Sequence, residues 1–165
     1  MQIGIISDTH DHHHNVRRAI EIFREEGVQC VLHAGDITSV STVDLFEALP
    51  EARLIVAFGN CDVDRRALQT AIEAVGGEAH AGRYEGAIDG RTIRMAHIPD
   101  ESEVAVSGRA CDLVVYGHTH RQDIRRSNGT LIVNPGAARN RTSASSHVVI
   151  LDTAEMTMSV RSLDR

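Results

Sequence analysis

The sequence has no tryptophan, two tyrosines and three phenylalanines, so aromatics supply only 3% of its 165 residues. That scarcity argues against a platform of stacking aromatics for single-stranded nucleic acid. Lys and Arg number 17 against 23 Asp and Glu, giving a formal net charge of −6, and the basic residues never form a long run. A duplex-binding face is not advertised either, which makes nucleic acid a poor candidate partner. The cysteines, Cys30, Cys61 and Cys111, are few, odd in number and widely spaced, with no CxxC pair. This speaks against a disulfide framework and for a cytosolic setting. No apolar segment approaches the ~18 residues of a membrane span. The first six residues enter a strand pattern without a basic leader or cleavage site. The expectation is a cytoplasmic protein with no membrane partner.

What is present has the balance of a globular protein, 42% hydrophobic and 24% charged, and its length suits one domain spanning 1–165. Gln2 to Ser7 reads as a strand, followed by a helix with Val16, Ala19, Ile20 and Phe23 on one face and Gly27 as its stop. Cys30 to Leu32 is a second strand. Thr38 or Ser39 can cap the next helix, which carries Val43, Leu45, Phe46 and Leu49 up to Pro50. Leu54 to Phe58 is a third strand, and Asp62 or Asp64 can cap a helix containing Leu68, Ile72 and Val75.

Three β-loop-α units in succession favour a parallel sheet with right-handed crossovers. The second half changes character. Asp89-Gly90 and Asn128-Gly129 are hairpin signals, a weaker helical stretch covers 101–110, and short β runs occupy Thr92 to Ala96, Leu113 to Val115, Asp123 to Arg126, Leu131 to Asn134, His147 to Leu151 and Met156 to Arg161. The fold class expected is α/β with mixed sheets, two of them packed together and flanked by helices.

In open α/β sheets, ligands bind outside the carboxyl ends of the strands. Here those ends carry Asp8 and His10, Asp36, Asn60, His97, and the pair His118 and His120 in Gly117-His118-Thr119-His120. All seven offer oxygen or imidazole nitrogen, a set that suits manganese, iron or zinc better than calcium or copper(I). Seven donors exceed the needs of one ion with an open substrate position, so two ions bridged by a carboxylate fit the count. Two metals ~3.5–4 Å apart are a device for phosphoryl chemistry. Gly35, Gly59 and Gly117 each precede a donor and are expected to permit tight bends.

Asp8-x-His10, Gly35-Asp36, Gly59-Asn60, His97 and Gly117-His118-x-His120, in this order over essentially the whole chain, resemble the calcineurin-like metallophosphoesterase superfamily. The short chain and the form Gly59-Asn60-Cys61-Asp62 resemble its small prokaryotic phosphodiesterase branch, which is also similar to the retromer scaffold subunit of eukaryotes. The resemblance implies a four-layer αββα sandwich and a dinuclear site that hydrolyses phosphate diesters through a metal-bound hydroxide. By that pattern Asp8, His10 and His120 hold one metal, Asn60, His97 and His118 the other, and Asp36 bridges. Asp36, Asn60, His97 and Cys61 form the catalytic set. The implied cofactors are two divalent ions, manganese first, with zinc, iron or nickel as alternatives. The implied partner is a small phosphate ester, and a homo-oligomer stays open. The alternatives are a protein-interaction scaffold with a vestigial site, or a phosphomonoesterase.

Three positions depart from the superfamily pattern. Ile98 follows His97 where glycine is usual, Cys61 stands where many members have a histidine that assists the leaving group, and Ala137 replaces a serine in Asn134-Pro135-Gly136-Ala137. Other residues carry two readings. His12, His13 and His14 read as the solvated start of a helix before they read as a second metal site. His33 either supports a ligand from behind or packs in the core, and it is an alternative general acid. His80 and His147 read as structural or exposed, and Cys30 and Cys111 as small buried hydrophobes. Arg139 and Arg141 are loop charges that are candidates to reach a phosphate.

Overall fold

In β1 (Gln2–Ile6), Ile3 and Ile5 enter one apolar cluster while Ile6 enters another on the opposite face. A strand covered on both faces is what its continuous apolar composition demands. Gly4 lies so close to α1 (His13–Glu25) that a Cβ there would come within 2.7 Å of the Phe23 ring. The same alternation runs through β2 (Cys30–His33) and β3 (Arg53–Ala57), which continue the parallel order β1-β2-β3. The computed structural model describes residues 1–99, 111–139 and 145–164, and the helix expected over 101–110 lies outside them.

Helices cover the face that carries Ile6. Val16, Ala19, Ile20 and Phe23 of α1 pack there with Val43 of α2 (Val40–Asp44) and Leu68 and Ile72 of α3 (Arg65–Ala74). The single helix expected up to Leu49 is split. Its β-branched start, Val40, Thr42 and Val43, propagates weakly as α-helix, and the chain tightens into a 3₁₀ turn at Leu45–Ala48 that buries Phe46. Ser39 is the residue that caps α2, and Asp64 the one that caps α3.

β4 (Glu78–His80) was not legible as a strand, because Glu-Ala-His has no apolar run. It forms by parallel pairing with β3. The first sheet therefore runs β11-β10-β1-β2-β3-β4, with β10 (His147–Asp152) and β11 (Thr157–Ser162) antiparallel at one side.

The second sheet, order β5-β6-β7-β9-β8, is built from β5 (Arg83–Ile88), β6 (Arg91–Ala96), β7 (Leu113–Val115), β8 (Asp123–Ser127) and β9 (Thr130–Asn134). Its hairpins turn at Asp89-Gly90 and Asn128-Gly129, where both residues of each pair have positive φ, as type I′ turns require. Ile93, Met95, Leu113, Val115, Leu131 and Val133 face Ile3, Ile5, Leu32, Ile55, Val149 and Leu151 of the first sheet. That inter-sheet core leaves β1, β2, β3, β6 and β7 each running into one of the donor-bearing loops.

Candidate metal centre

Asp8 is fully buried and its two oxygens have different fates. Oδ2 lies 2.5 Å from the Ser7 hydroxyl and 3.2 Å from the backbone N–H of His118. Oδ1 has no hydrogen-bond partner, yet His120 Nε2 stands 3.1 Å from it and His10 Nε2 3.9 Å. A buried carboxylate oxygen left without a donor costs free energy unless a cation meets it. His10 Nε2 and His120 Nε2 are 3.4 Å apart, so both ring nitrogens point into the same small space beside Asp8 Oδ1.

A second group surrounds Asn60. Its amide oxygen lies 3.1 Å from His97 Nε2 and 3.0 Å from His118 Nδ1. His97 is buried and donates through Nδ1 to the Ala34 carbonyl at 2.7 Å. That bond fixes the tautomer and turns the Nε2 lone pair toward the centre.

Asp36 joins the two groups. Oδ2 is 3.6 Å from His10 Nε2 and 3.4 Å from His97 Nε2, while Oδ1 accepts the Cys61 backbone N–H at 2.8 Å. Burial would raise the pKa of this carboxyl, but the His97 ring and the Cys61 N–H outweigh burial and hold it well below the usual range. The donor set, three side-chain oxygens and four imidazoles with one orphaned buried oxygen, fits a pair of divalent transition ions.

The loops reach this arrangement at a conformational cost. Asp8, His10, Asp36, His118 and His120 have φ between 41° and 66°, a region costing about 1–3 kcal/mol for a non-glycine residue. The bends thus fall on the donors themselves. Of the three flanking glycines only Gly35 (φ 90°) is left-handed, which corrects the expectation that all three bend. Gly59 and Gly117 supply room instead: a Cβ would come within 2.1 Å of Asp36 Oδ1 at Gly59 and of Ser7 Oγ at Gly117. Backbone bonds hold the strained loops together, from Asp8 N to Gly35 O, His10 N to Asp36 O and Gly117 N to His97 O, each 3.0 Å.

The decisive supporting residue is Asp62, read from sequence only as a candidate cap. Its carboxylate is buried and accepts the backbone N–H groups of Asp36 (2.9 Å), Gly59 (2.6 Å) and Thr38 (2.8 Å). Its only signal was its place just after a strand end and Gly59-Asn60, a pattern that does not tell that two loops meet there. Asn134 acts likewise on the histidine loop, donating to Gly117 O at 2.9 Å and to Thr119 Oγ1 at 3.0 Å. The Gly136 N–H bonds back to Asn134 Oδ1, so the turn stands without the missing serine.

His33 is fully buried. It accepts the Gly35 N–H at Nδ1 and meets the Thr9 hydroxyl through Nε2, both at 3.2 Å. Burial pushes its pKa down to about 4. Its bonds lead into the loop backbone, which makes it a support for Asp36 and not an acid facing substrate. Cys61 is exposed, and its thiol groups with His10 and Asp36. Burial of part of the side chain and the Asp36 contact push its pKa up.

His12 caps α1 by accepting the Asn15 N–H, and none of His12, His13 and His14 joins a metal-type cluster among the described residues. His80 and His147 are half-buried, each lying in a strand. Cys30 and Cys111 are buried, as expected. Arg139 donates to the His10 carbonyl at 3.2 Å, and Arg141 lies outside the described residues.

The family description "Calcineurin-like phosphoesterase superfamily domain" matches residues 1–156. The chain belongs to that superfamily. Among the relatives of this phosphoesterase is Phosphodiesterase MJ0936 of Methanocaldococcus jannaschii, 36% identical over 156 residues covering 93% of either chain. The solved structure of an archaeal phosphodiesterase superposes with a TM-score of 0.91 at 33% identity, covering 98% of this chain and 99% of the other. A Vps29 variant from Entamoeba histolytica shares the fold at a TM-score of 0.63 and 20% identity, over 100% and 99% of the two chains. No helix among the described residues is long and apolar enough to cross a membrane.

Proposed function

We propose that this phosphoesterase is a hydrolase of phosphodiesters, with a dinuclear centre in which Asp8, His10 and His120 hold one divalent ion, Asn60, His97 and His118 the other, and Asp36 bridges. The observation that carries the reading is the position of Asp36 Oδ2 between His10 and His97, one imidazole from each group. A carboxylate oxygen can meet two cations, whereas a neutral imidazole offers one lone pair. The name of the M. jannaschii relative supports diesters as the substrate class.

When bound, a divalent pair supplies a nucleophile at neutral pH and positive charge for the phosphoryl oxygens. The chain's own residues do the rest. Asp36 is held in its anionic form, His97 is kept in the Nδ1–H tautomer by Ala34, and the Cys61 thiol stands beside Asp36 with its pKa raised. The mixed oxygen and nitrogen donors favour manganese, with zinc, iron or nickel as alternatives. Three cysteines outside any disulfide support a cytoplasmic setting.

A scaffold reading has the Vps29-like fold in its favour, but a scaffold has no need for seven converging donors. Incubation with Mn²⁺ and either bis(p-nitrophenyl) phosphate or p-nitrophenyl phosphate separates the readings. Faster turnover of the diester is expected. Turnover of the monoester alone would assign a phosphomonoesterase, and bound metal with no turnover of either would favour the scaffold.

A further inference from the structure

A pocket of about 310 Å³ opens beside the metal centre, and Asn60 and His97 belong to its wall. Its other walls are of two kinds. Phe58, Ala81, Ala96 and Ile98 are apolar, while Arg65 and Arg83 are cationic, and no acidic residue is among its described lining. Arg65 is fixed in place: it donates to the carbonyls of Asp62 (3.2 Å), Ala81 (3.0 Å) and Gly59 (3.2 Å), with its guanidinium 5.8 Å above the Phe58 ring. It supplies positive potential without movement. Ile98 is a large aliphatic side chain left 55% exposed, at the position where the superfamily usually has glycine. No described residue covers that exposed surface. A ligand that covers it gains the free energy of burial.

We propose that this pocket receives the substituent that remains on phosphorus, and that Ile98 is a specificity-determining residue selecting planar aryl or nucleoside groups that are neutral or anionic. The inference rests on the phosphodiesterase reading. Three features point to this occupant. The pocket is continuous with Asn60 and His97, so a phosphate held there extends a substituent into it. Its volume sits at the low end of ligand pockets, roughly 300–1,000 Å³, room for an aryl ring or a nucleoside. The Cys61 thiol lies with His10 and Asp36 and neither it nor His10 is part of the described lining, so a group leaving past that thiol departs outside the pocket, which is left to the retained group.

The test holds the leaving group constant. p-Nitrophenyl diesters carrying methyl, phenyl, thymidine-5′ or choline as the second substituent are assayed with saturating Mn²⁺, each kcat/KM being divided by the substrate's own rate with hydroxide to remove electronic effects. The phenyl and thymidine esters should exceed the methyl ester by roughly ten-fold, the scale of burying part of a ring, and the cationic choline ester should not exceed methyl. Ile98→Gly should lower the phenyl-to-methyl ratio roughly five-fold, and Ile98→Val should keep most of it. Metal content measured in each variant separates a pocket effect from loss of the ion at His97. A wild-type ratio within two-fold of unity, or a ratio unchanged in Ile98→Gly, would overturn the proposal while leaving a diesterase. Failure to hydrolyse any of the four esters would overturn the phosphodiesterase reading, and the pocket with it.

Discussion

Asp62 accepts the backbone N–H of Asp36 through Oδ2 at 2.9 Å, and that bond ties the third loop to the residue at the middle of the metal centre. With Gly59 and Thr38 also donating to it, a single carboxylate orders the backbone on both sides of Asp36 and Asn60. Asp62→Asn keeps the shape but turns an N–H donor toward N–H donors. Metal affinity should fall about 10–100-fold, the usual scale for supporting residues, and competition titration against a chromogenic chelator reads it. Unchanged affinity would reduce Asp62 to a local turn residue.

Asp36→Asn and His10→Ala separate a bridging donor from a terminal one. The first should lower occupancy at both positions and the second chiefly at one, as measured by inductively coupled plasma analysis after matched dialysis. Equal losses in the two variants would remove the bridging assignment.

We propose that Cys61 is the residue beside the departing oxygen. Its thiol is held above its ordinary pKa by burial and by Asp36, which makes it a reluctant proton donor. Rates should therefore fall steeply as leaving-group pKa rises across a series of aryl and alkyl diesters. Cys61→His should flatten the slope and raise alkyl diester turnover by roughly 10²-fold, the contribution of a positioned general acid. If wild-type rates barely change across the series, another group protonates the departing oxygen.

His33 makes the fold sensitive to acid. Its folded pKa of about 4 lies below the unfolded value of about 6.5, so the unfolded chain binds more protons between these limits. The stabilisation is present above pH 6.5 and is lost as pH falls toward 4, by about 3 kcal/mol at most. Melting temperatures in chelator from pH 7.5 to 4.5 should drop by roughly 6–12 °C from this source. His33→Gln should show a shallower slope, and parallel curves for the two proteins would show that other groups set the acid limit.

The seven residues brought together here were legible because each lies just beyond a strand read from the sequence, and topology brings strand ends together. The same rule that found Asp8, Asp36 and His118 could not find Asp62, whose role depends on where two loops meet. Nor could it find the left-handed backbone at these positions, since Asp and His, though enriched at positive φ, adopt it in only a minority of cases. β4 was missed for a related reason: Glu78, Ala79 and His80 become a strand because β3 offers a free edge. The pocket beside Ile98 combines Phe58, Ala81 and Ala96 from separate elements, and only the departure at Ile98 hinted at it.

The central claim, a pair of divalent ions bridged by Asp36, is tested most directly by titrating Mn²⁺ into chelator-stripped protein while following hydrolysis of bis(p-nitrophenyl) phosphate. The rate should start at zero, rise with added metal and level off at two equivalents per chain. Full turnover in excess chelator, or a plateau at one equivalent, would contradict it.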